Sequence, residues 1–247
     1  MELKLINAGA GHGAPRLVAP PPFGYLLVSA AVAPPGAGPP FPRRSRRRQA
    51  LLDELRVLAG ELKPAEGVER VTVYRAVVVP PPQGFARDYA PRHARYDVAV
   101  LVEARSAELV GTVEAAEPFR RLLDAVRTVA RDVHVLRGRC MKSLGDVDKG
   151  PGGLFLLNYF VAEDPEVALA LWEHLAAWYQ WATGLDNSTL LAPLEPDDFV
   201  FVNHARWDRA LPRVALDQVL RPGFRSFVLP NLLVNRTGAM PVLLRHA

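Results

Sequence analysis

The sequence predicts an α+β fold in which two tandem ferredoxin-like repeats close into an α/β barrel within one chain. The order strand-helix-strand-strand-helix-strand can be assigned twice along the 247 residues. A glycine- and proline-rich segment, residues 145–153, separates the two assignments and is predicted to be a linker. Each repeat should form a four-stranded antiparallel sheet with helices on one face. We therefore expect the two free sheet faces to pack together and to leave a cavity between them.

The first repeat is predicted over residues 24–144, after an N-terminal arm over residues 1–23. Apolar and β-branched runs predict strands over residues 25–32, 68–79, 96–104 and 133–141. Helices are predicted over residues 46–62 and 117–130, and leucines recur at helical spacing in the first of them: Leu51, Leu55, Leu58 and Leu62. This spacing gives the helix one apolar side that can pack on the sheet.

The second repeat is predicted over residues 154–247, with strands over residues 154–162, 187–194, 199–205 and 235–245. Asp164 is a helix N-cap, Pro165 suits the first helical position, and Gly184 ends that helix. The segment 211–229 is predicted to be helical in places, with a break at Pro222-Gly223. The element order of the first repeat is thus repeated.

Composition excludes several classes of protein. With 49% hydrophobic and 23% charged residues, the chain has enough apolar content for a core, which excludes a disordered chain. It has no run of about 18 apolar residues, and prolines 20–22 interrupt the region where a signal peptide would continue. We therefore expect a cytoplasmic protein with no membrane partner. Cys140 is the only cysteine, so no internal disulfide forms, and a packed thiol is expected.

The net charge is +4, and basic residues are concentrated in one cluster: Arg43, Arg44, Arg46, Arg47 and Arg48. No aromatic residue interleaves the cluster, so a solvated helix start is favoured over a nucleic-acid partner, with binding of a phosphate or another anion as the alternative. Gly9-Ala10-Gly11-His12-Gly13 resembles a dinucleotide-binding loop, but no helix follows it, and we assign it to the arm.

Metal and hydrolase chemistry lack support in the sequence. The six histidines form no pair at ligand spacing, and acidic residues do not cluster beside them, so no metal site is predicted. No G-x-S-x-G motif occurs, so a serine hydrolase is not indicated.

The segment 199–208 (FVFVNHARWD) carries the most informative polar residues. Strand alternation places one set of side chains on a common face: Phe199, Phe201, Asn203, Ala205 and Trp207. If that face looks into the barrel, it offers an apolar pocket in which Trp207 stacks on a flat aromatic ligand and Asn203 donates to its oxygen. The alternative is that Asn203 satisfies a bulge and Trp207 only seals the end of the barrel.

The segment 202–207 (VNHARW) resembles the V-N-Y-A-Q-W segment of antibiotic-biosynthesis monooxygenases, which belong to the dimeric α/β barrel superfamily. The matching motif covers about ten residues, whereas the element order covers nearly the whole chain. The resemblance implies oxidation of a polycyclic phenol by O₂ with no cofactor, neither metal nor flavin. It makes Asn203 and Trp207 the catalytic candidates, and we assign substrate binding to Asn158, Phe199 and Phe201.

Related haem-degrading barrels carry an asparagine on the first strand and a tryptophan at the end of the third, which Asn158 and Trp207 match. Their haem-ligating histidine has no counterpart in residues 211–229, and Leu190 and Leu191 occupy the place of the family's histidine on the second strand. Haem binding is therefore only a third hypothesis. The second is a non-catalytic barrel that binds a ligand or serves as a structural, oligomerising module.

The predicted helix 165–183 is unusually aromatic. Trp178 and Trp181 are three residues apart, and Trp172 and Tyr179 are seven apart on another side of the helix. We expect one side to pack in the core and the other to form an interface in a homodimer. His174 is expected to be a surface or interface residue.

Overall fold

The computed structural model describes residues 2–8, 13–211, 221 and 223–247. The first half contains β1 (Gly24–Ala31), α1 (Arg46–Leu62), β2 (Val68–Val78), β3 (Gln83–Gly84), α2 (Ala86–Tyr89), β4 (Val98–Ala104), α3 (Val110–Ala115), α4 (Glu117–Val129) and β5 (Asp132–Gly145). The second half contains β6 (Leu154–Ala162), α5 (Pro165–Thr183), β7 (Ser188–Pro193), β8 (Phe201–Trp207), α6 (Leu229–Val234) and β9 (Thr237–His246). A π-helical turn, Phe224–Val228, leads into α6.

Eight of these strands form a closed antiparallel barrel. Their order is β2-β4-β1-β5-β7-β8-β6-β9, and β9 pairs with β2 to close the ring, while the two-residue β3 adds to β9. Each half contributes the same arrangement of four strands, β5-β1-β4-β2 in the first and β9-β6-β8-β7 in the second. The halves are joined where β5 pairs with β7 and where β9 pairs with β2. The predicted fold class is confirmed. The two sheets are continuous through these pairings and do not form two separate layers.

Local sequence signals explain where the long helices begin and end. The Ser45 side chain accepts the Arg48 backbone N–H at the start of α1. Asp164 accepts the Glu166 and Val167 N–H groups at the start of α5, and Gly184 ends that helix at φ 68°. None of the described helices is long and apolar enough to cross a membrane.

The N-terminal arm is held by specific hydrogen bonds, and the segment between the halves is short. In the arm, the backbone N–H groups of Lys4 and Ile6 donate to the side chains of Asn235 and Asn231, at 2.9 Å and 2.8 Å. In the segment between the halves, β5 extends to Gly145 and β6 begins at Leu154. The domain boundaries given above stay predictions, and residues 9–12 of the glycine-rich motif lie outside the described residues.

Two predicted elements of the second half differ from the structure. The strand predicted over residues 199–205 spans Phe201–Trp207. Its later start has a local cause, because the Asp197 carboxylate accepts the Phe199 N–H at 2.9 Å and extends the preceding turn. Of the segment 211–229, residues 212–220 and 222 lie outside the described part, and the helix that follows continues to Val234.

The barrel interior is packed with aromatic side chains. Buried residues from both halves meet there, including Tyr25, Tyr74, Tyr96, Phe155, Tyr159 and Phe199. Cys140 belongs to the same cluster, and burial raises the pKa of its thiol to about 11, so it is the packed thiol that was expected. These side chains pack together in the lumen, and the cavity described below lies instead on the outer face of the second-half sheet. The outer face of each sheet packs on its own helices in a separate cluster.

Candidate ligand-binding site

A cavity of about 470 Å³ lies on the outer face of the second-half sheet, under α5. Its walls come from β6, β8, β9 and α5, and its rim includes Pro40 and Phe41 from the loop before α1. The apolar wall residues include Leu156, Phe160, Trp172, Leu175, Tyr179, Trp207 and Leu243. This volume falls within the range of about 300–1,000 Å³ that is typical of small-molecule sites.

Three of the five predicted site residues line this cavity: Asn158, Asn203 and Trp207. Phe201 shares their face of the sheet and packs on Phe160, with ring centroids 4.8 Å apart, in the layer beside the cavity. Phe199 was wrongly placed on that face. It precedes the first residue of β8, so strand alternation does not apply to it, and its ring packs inside the barrel against Tyr159 at 5.0 Å.

The two asparagines form a pair across neighbouring strands. Asn158 of β6 lies directly opposite Asn203 of β8 in the antiparallel register. The Ser188 hydroxyl donates to Asn203 Oδ1 at 2.5 Å, which turns the amide N–H₂ away from the hydroxyl. Asn158 Oδ1 is buried and accepts no hydrogen bond from the described residues. A buried amide oxygen without a partner is unfavourable, so Asn158 Oδ1 indicates a place for a polar group of a ligand beside this pair.

Trp207 is held by the C-terminal turn of α5. Its Nε1 donates to the Thr183 hydroxyl at 3.2 Å, and that hydroxyl donates to the Tyr179 carbonyl at 2.8 Å. The neighbouring Arg206 N–H donates to the Asn187 side chain at 2.9 Å, which continues the edge of β8. The indole N–H is therefore already engaged, and what Trp207 offers to the cavity is its apolar ring.

The aromatic residues of α5 have three different environments. Trp172 and Tyr179 line the cavity, Trp178 is fully buried in the core, and Trp181 is 61% exposed. The sequence favours core and interface roles for this helix over a ligand-binding role, whereas Trp172 and Tyr179 contribute to the cavity. Their seven-residue spacing was the available signal, but it does not distinguish a cavity wall from a packed side. The homodimer stays a prediction.

Other lining residues were also missed by sequence reasoning. Ser188 and the rim residues Gln83, Pro40 and Phe41 line the cavity, and the last three come from the first half of the chain. The described lining contains no carboxylate, imidazole, ammonium or guanidinium group. Within the same described part of the chain, no three His, Cys, Asp or Glu side chains are placed to hold a metal ion. The cavity offers amides, hydroxyls and aromatic rings.

Comparison with solved structures shows the same architecture in other proteins. One, described as an anthrone oxidase-like protein, is 14% identical with a TM-score of 0.60, over 91% of this chain and 92% of its own. Another, from Fusobacterium nucleatum and described as a "putative monooxygenase", is 6% identical with a TM-score of 0.55, over 93% of this chain and 96% of its own. No protein-family model and no curated protein sequence matches the chain. Together with the strand order, these likenesses show that the chain has the ferredoxin-like dimeric α/β barrel fold.

Proposed function

We propose that the cavity binds a flat, uncharged polycyclic aromatic ketone or phenol and that the protein promotes its oxidation by O₂. The observation that carries the proposal is the Asn158–Asn203 pair, a half-buried and a buried amide in a mostly apolar and aromatic cavity. The descriptions of the two similar structures, an anthrone oxidase-like protein and a monooxygenase, support the same class of substrate and reaction.

The walls suit a planar ring system. Trp172, Trp207 and Phe160 line the cavity with aromatic rings, which bind other rings by stacking or by edge-to-face contact. Such a ligand would place its single carbonyl or phenolic oxygen at the amide pair, where two side-chain amides lie opposite each other on neighbouring strands. The absence of ionic groups in the described lining favours an uncharged ligand.

The proposed reaction converts a ring methylene into a carbonyl, as in an anthrone. Loss of one methylene proton leaves an enolate whose negative charge lies on the existing carbonyl oxygen. N–H groups of Asn158 and Asn203 would donate to that oxygen and stabilise the charge as it develops. The enolate then reduces O₂. One oxygen atom becomes the new carbonyl, and the other leaves as water with the two hydrogens, so that four electrons pass from the carbon to O₂.

The amides stabilise an anion but do not accept a proton at neutral pH. In the proposed reaction the methylene proton therefore leaves to water at the rim, and the protein contributes orientation and stabilisation of the anion. Trp207 and Asn203 thus keep the roles that the sequence resemblance implied, on the outer face of the sheet.

The test uses anthrone as the substrate and compares Asn203→Val with the wild-type protein. Oxygen consumption is followed with an electrode, and quinone formation by absorbance. We expect the wild-type protein to consume one O₂ per quinone above the buffer rate, and Asn203→Val to lower kcat by about 10²-fold, the usual effect of losing one oxyanion donor. Thr189→Val is the matched control, because it removes a buried hydroxyl from the neighbouring strand β7, paired with His204, without touching the cavity.

The outcomes separate catalysis from binding. Equal rates for Asn203→Val and the wild-type protein would remove Asn203 from the reaction. Saturable anthrone binding, measured by quenching of tryptophan fluorescence, with no oxygen consumption would leave the protein as a ligand-binding barrel. If the protein neither binds anthrone nor oxidises it, the proposal is overturned.

A further inference from the structure

A second cleft, of about 580 Å³, lies at the start of α1 on the other half of the molecule. Five arginines from three separate segments line it: Arg43, Arg44, Arg47, Arg95 and Arg131. The sequence alone shows only the first cluster, and it favours a solvated helix start over binding of a phosphate or another anion. The fold adds Arg95 and Arg131 to it, and the described lining contains no acidic residue. Five like charges at one cleft repel one another, which favours a multiply charged anion as the ligand.

The described part of the chain supplies no counter-ion within the cleft for these arginines. The nearby Asp97 carboxylate is fully buried and accepts the Val32 and Ala33 N–H groups at 2.7 Å and 3.0 Å, and Arg48 lies 3.4 Å from it. Arg48 does not line the cleft. Among the described residues, no carboxylate forms an ion pair with any of the five lining arginines.

Two of the guanidinium groups are held in place by hydrogen bonds to the backbone, and a third lies close to it. Arg95 donates to the Pro35 and Gly36 carbonyls, the second at 3.1 Å, and Arg47 donates to the Thr128 carbonyl at 3.0 Å. Arg43 packs so closely on Gly36 that a Cβ atom there would lie 2.8 Å from its Nη2. These contacts use only some of the five N–H donors of each guanidinium group, so others stay available to a ligand. They also restrict the side chains in advance, so less conformational entropy is lost when a ligand binds.

We propose that this cleft binds the oligophosphate group of a small molecule. Guanidinium forks match phosphate oxygens in bidentate geometry, and five of them fit a chain of two or more phosphates better than one singly charged group. Among the described residues, the lining has no aromatic side chain on which a base of a single-stranded nucleic acid would stack. Ser45, the N-cap of the 17-residue helix α1, also lines the cleft, so the positive end of that helix adds to the field.

The test measures binding of sodium tripolyphosphate by calorimetry at pH 7.5, with no aromatic ligand present. We expect saturable 1:1 binding to the wild-type protein and at least tenfold weaker binding to Arg44→Gln/Arg131→Gln. Both arginines are exposed and make no side-chain hydrogen bond within the described chain, so this variant should fold normally. Arg139→Gln is the matched control: it lies on β5, eight residues and roughly 26 Å beyond Arg131, and should bind within twofold of the wild-type protein.

Three results would overturn the proposal. One is equal binding by the double variant and the wild-type protein. Another is equal binding of tripolyphosphate and of sulfate at the same ionic strength, which would indicate only general attraction. The third is binding of a 20-nucleotide single-stranded RNA at least tenfold tighter than tripolyphosphate, which would indicate a nucleic-acid surface.

A second measurement needs no variant. Tripolyphosphate should protect Arg43 and Arg44 of the wild-type protein from modification by phenylglyoxal, and it should leave Arg139 reactive, as read by peptide mass spectrometry. Equal modification of all three with and without tripolyphosphate would contradict the proposal. Neither measurement involves the aromatic cavity, so failure here does not affect the proposed oxidation.

Discussion

The two halves of the barrel differ at the same positions of the same sheet. Val28 faces Val100 across β1 and β4, and Asn158 faces Asn203 across β6 and β8. At the end of the third strand of each half, the first half has Ala104 and the second has Trp207. The first half is therefore aliphatic wherever the second half carries the candidate site.

The helices that cover the two sheets differ in the same way. In the first half, the leucines of α1 and an apolar side of α4 fill the space over the sheet: Leu51, Leu55, Leu58, Leu62, Phe119, Leu122 and Val126. In the second half, α5 lies over the sheet and a cavity of about 470 Å³ remains. The comparison teaches that one sheet face contributes stability through close packing, while its counterpart keeps open space and polar groups at a cost in stability.

The two halves also differ in charge at one end of the barrel interior. Glu103 and Arg206 occupy equivalent positions, opposite Tyr25 and Phe155 in the two registers. Two consecutive residues of the segment between the halves, Asp148 and Lys149, form ion pairs with Arg206 and Glu103. Lys149 Nζ lies 3.1 Å from Glu103 Oε1, and Asp148 Oδ2 lies 2.7 Å from Arg206 Nη1. The first pair is buried on both sides, whereas the Asp148 side chain is 75% exposed.

The largest expected effect comes from breaking the buried Lys149–Glu103 ion pair. Lys149→Met should lower the free energy of unfolding by about 3 kcal/mol at pH 7, because it leaves Glu103 buried without its closest cation. Asp148→Asn should lose only a small part of that, since water already solvates Asp148. Urea unfolding measures both. If both variants lost the same free energy of unfolding, the Lys149–Glu103 and Asp148–Arg206 pairs would contribute equally to stability.

A pH series separates charge from packing in that variant. Burial already raises the pKa of Glu103, and Lys149 opposes the rise. Without Lys149 the pKa of Glu103 rises further, so the folded state binds a proton more tightly than the unfolded state does. The loss of stability should therefore shrink between pH 7 and pH 5. A loss that is constant with pH would indicate packing alone.

The sequence was sufficient to predict the fold class but not which side of a strand lines the cavity. Alternation correctly groups Phe201, Asn203 and Trp207, because side-chain direction alternates along any strand. It does not say which group faces the lumen, since both faces of these strands are apolar and buried, one by the barrel and one by helices. The arginine-lined cleft was unpredictable for a different reason: Arg43, Arg95 and Arg131 meet only through the fold.

A second prediction transfers a polar residue into the packed half. Val100→Asn should lower the free energy of unfolding by about 2 kcal/mol, because the amide would be buried among aliphatic side chains without partners. Urea unfolding is the measurement, and Val100→Ala separates the loss of packing from the burial of the amide. If Val100→Asn were as stable as Val100→Ala, the first half would tolerate the polar face as well as the second half does.

A third prediction uses the residue pair Leu101 and His204, which are equivalent positions inside the barrel. His204 is fully buried beside Tyr74, and burial lowers the pKa of its imidazole well below the usual value. The unfolded chain binds a proton near pH 6.5 and the folded chain does not, so acid favours unfolding. Between pH 7.5 and pH 5.5, His204 should account for a loss of about 1.4 kcal/mol.

His204→Leu installs the first-half residue and should remove that part of the acid sensitivity. Both proteins keep His246, whose pKa is also lowered by burial, so its contribution cancels in the difference. Urea unfolding at the two pH values gives the result. The same acid loss in both proteins would mean that His204 gains a proton in the folded state, which would contradict its burial.

The smallest expected effect is a gain in stability. Asn158→Val installs the first-half residue Val28 at the equivalent position and removes a buried amide oxygen that has no partner in the described chain. The free energy of unfolding of the variant should be about 1 kcal/mol higher than that of the wild-type protein, because an unsatisfied polar group is replaced by an aliphatic one of similar size. The same variant should bind anthrone more weakly, as measured by fluorescence quenching. A residue that serves binding at the expense of stability should show both effects: its replacement raises the free energy of unfolding and weakens anthrone binding. If stability and binding both fell, the amide would be a structural residue whose partner is part of the fold, and the contrast between the two halves would no longer identify the second half as the functional one.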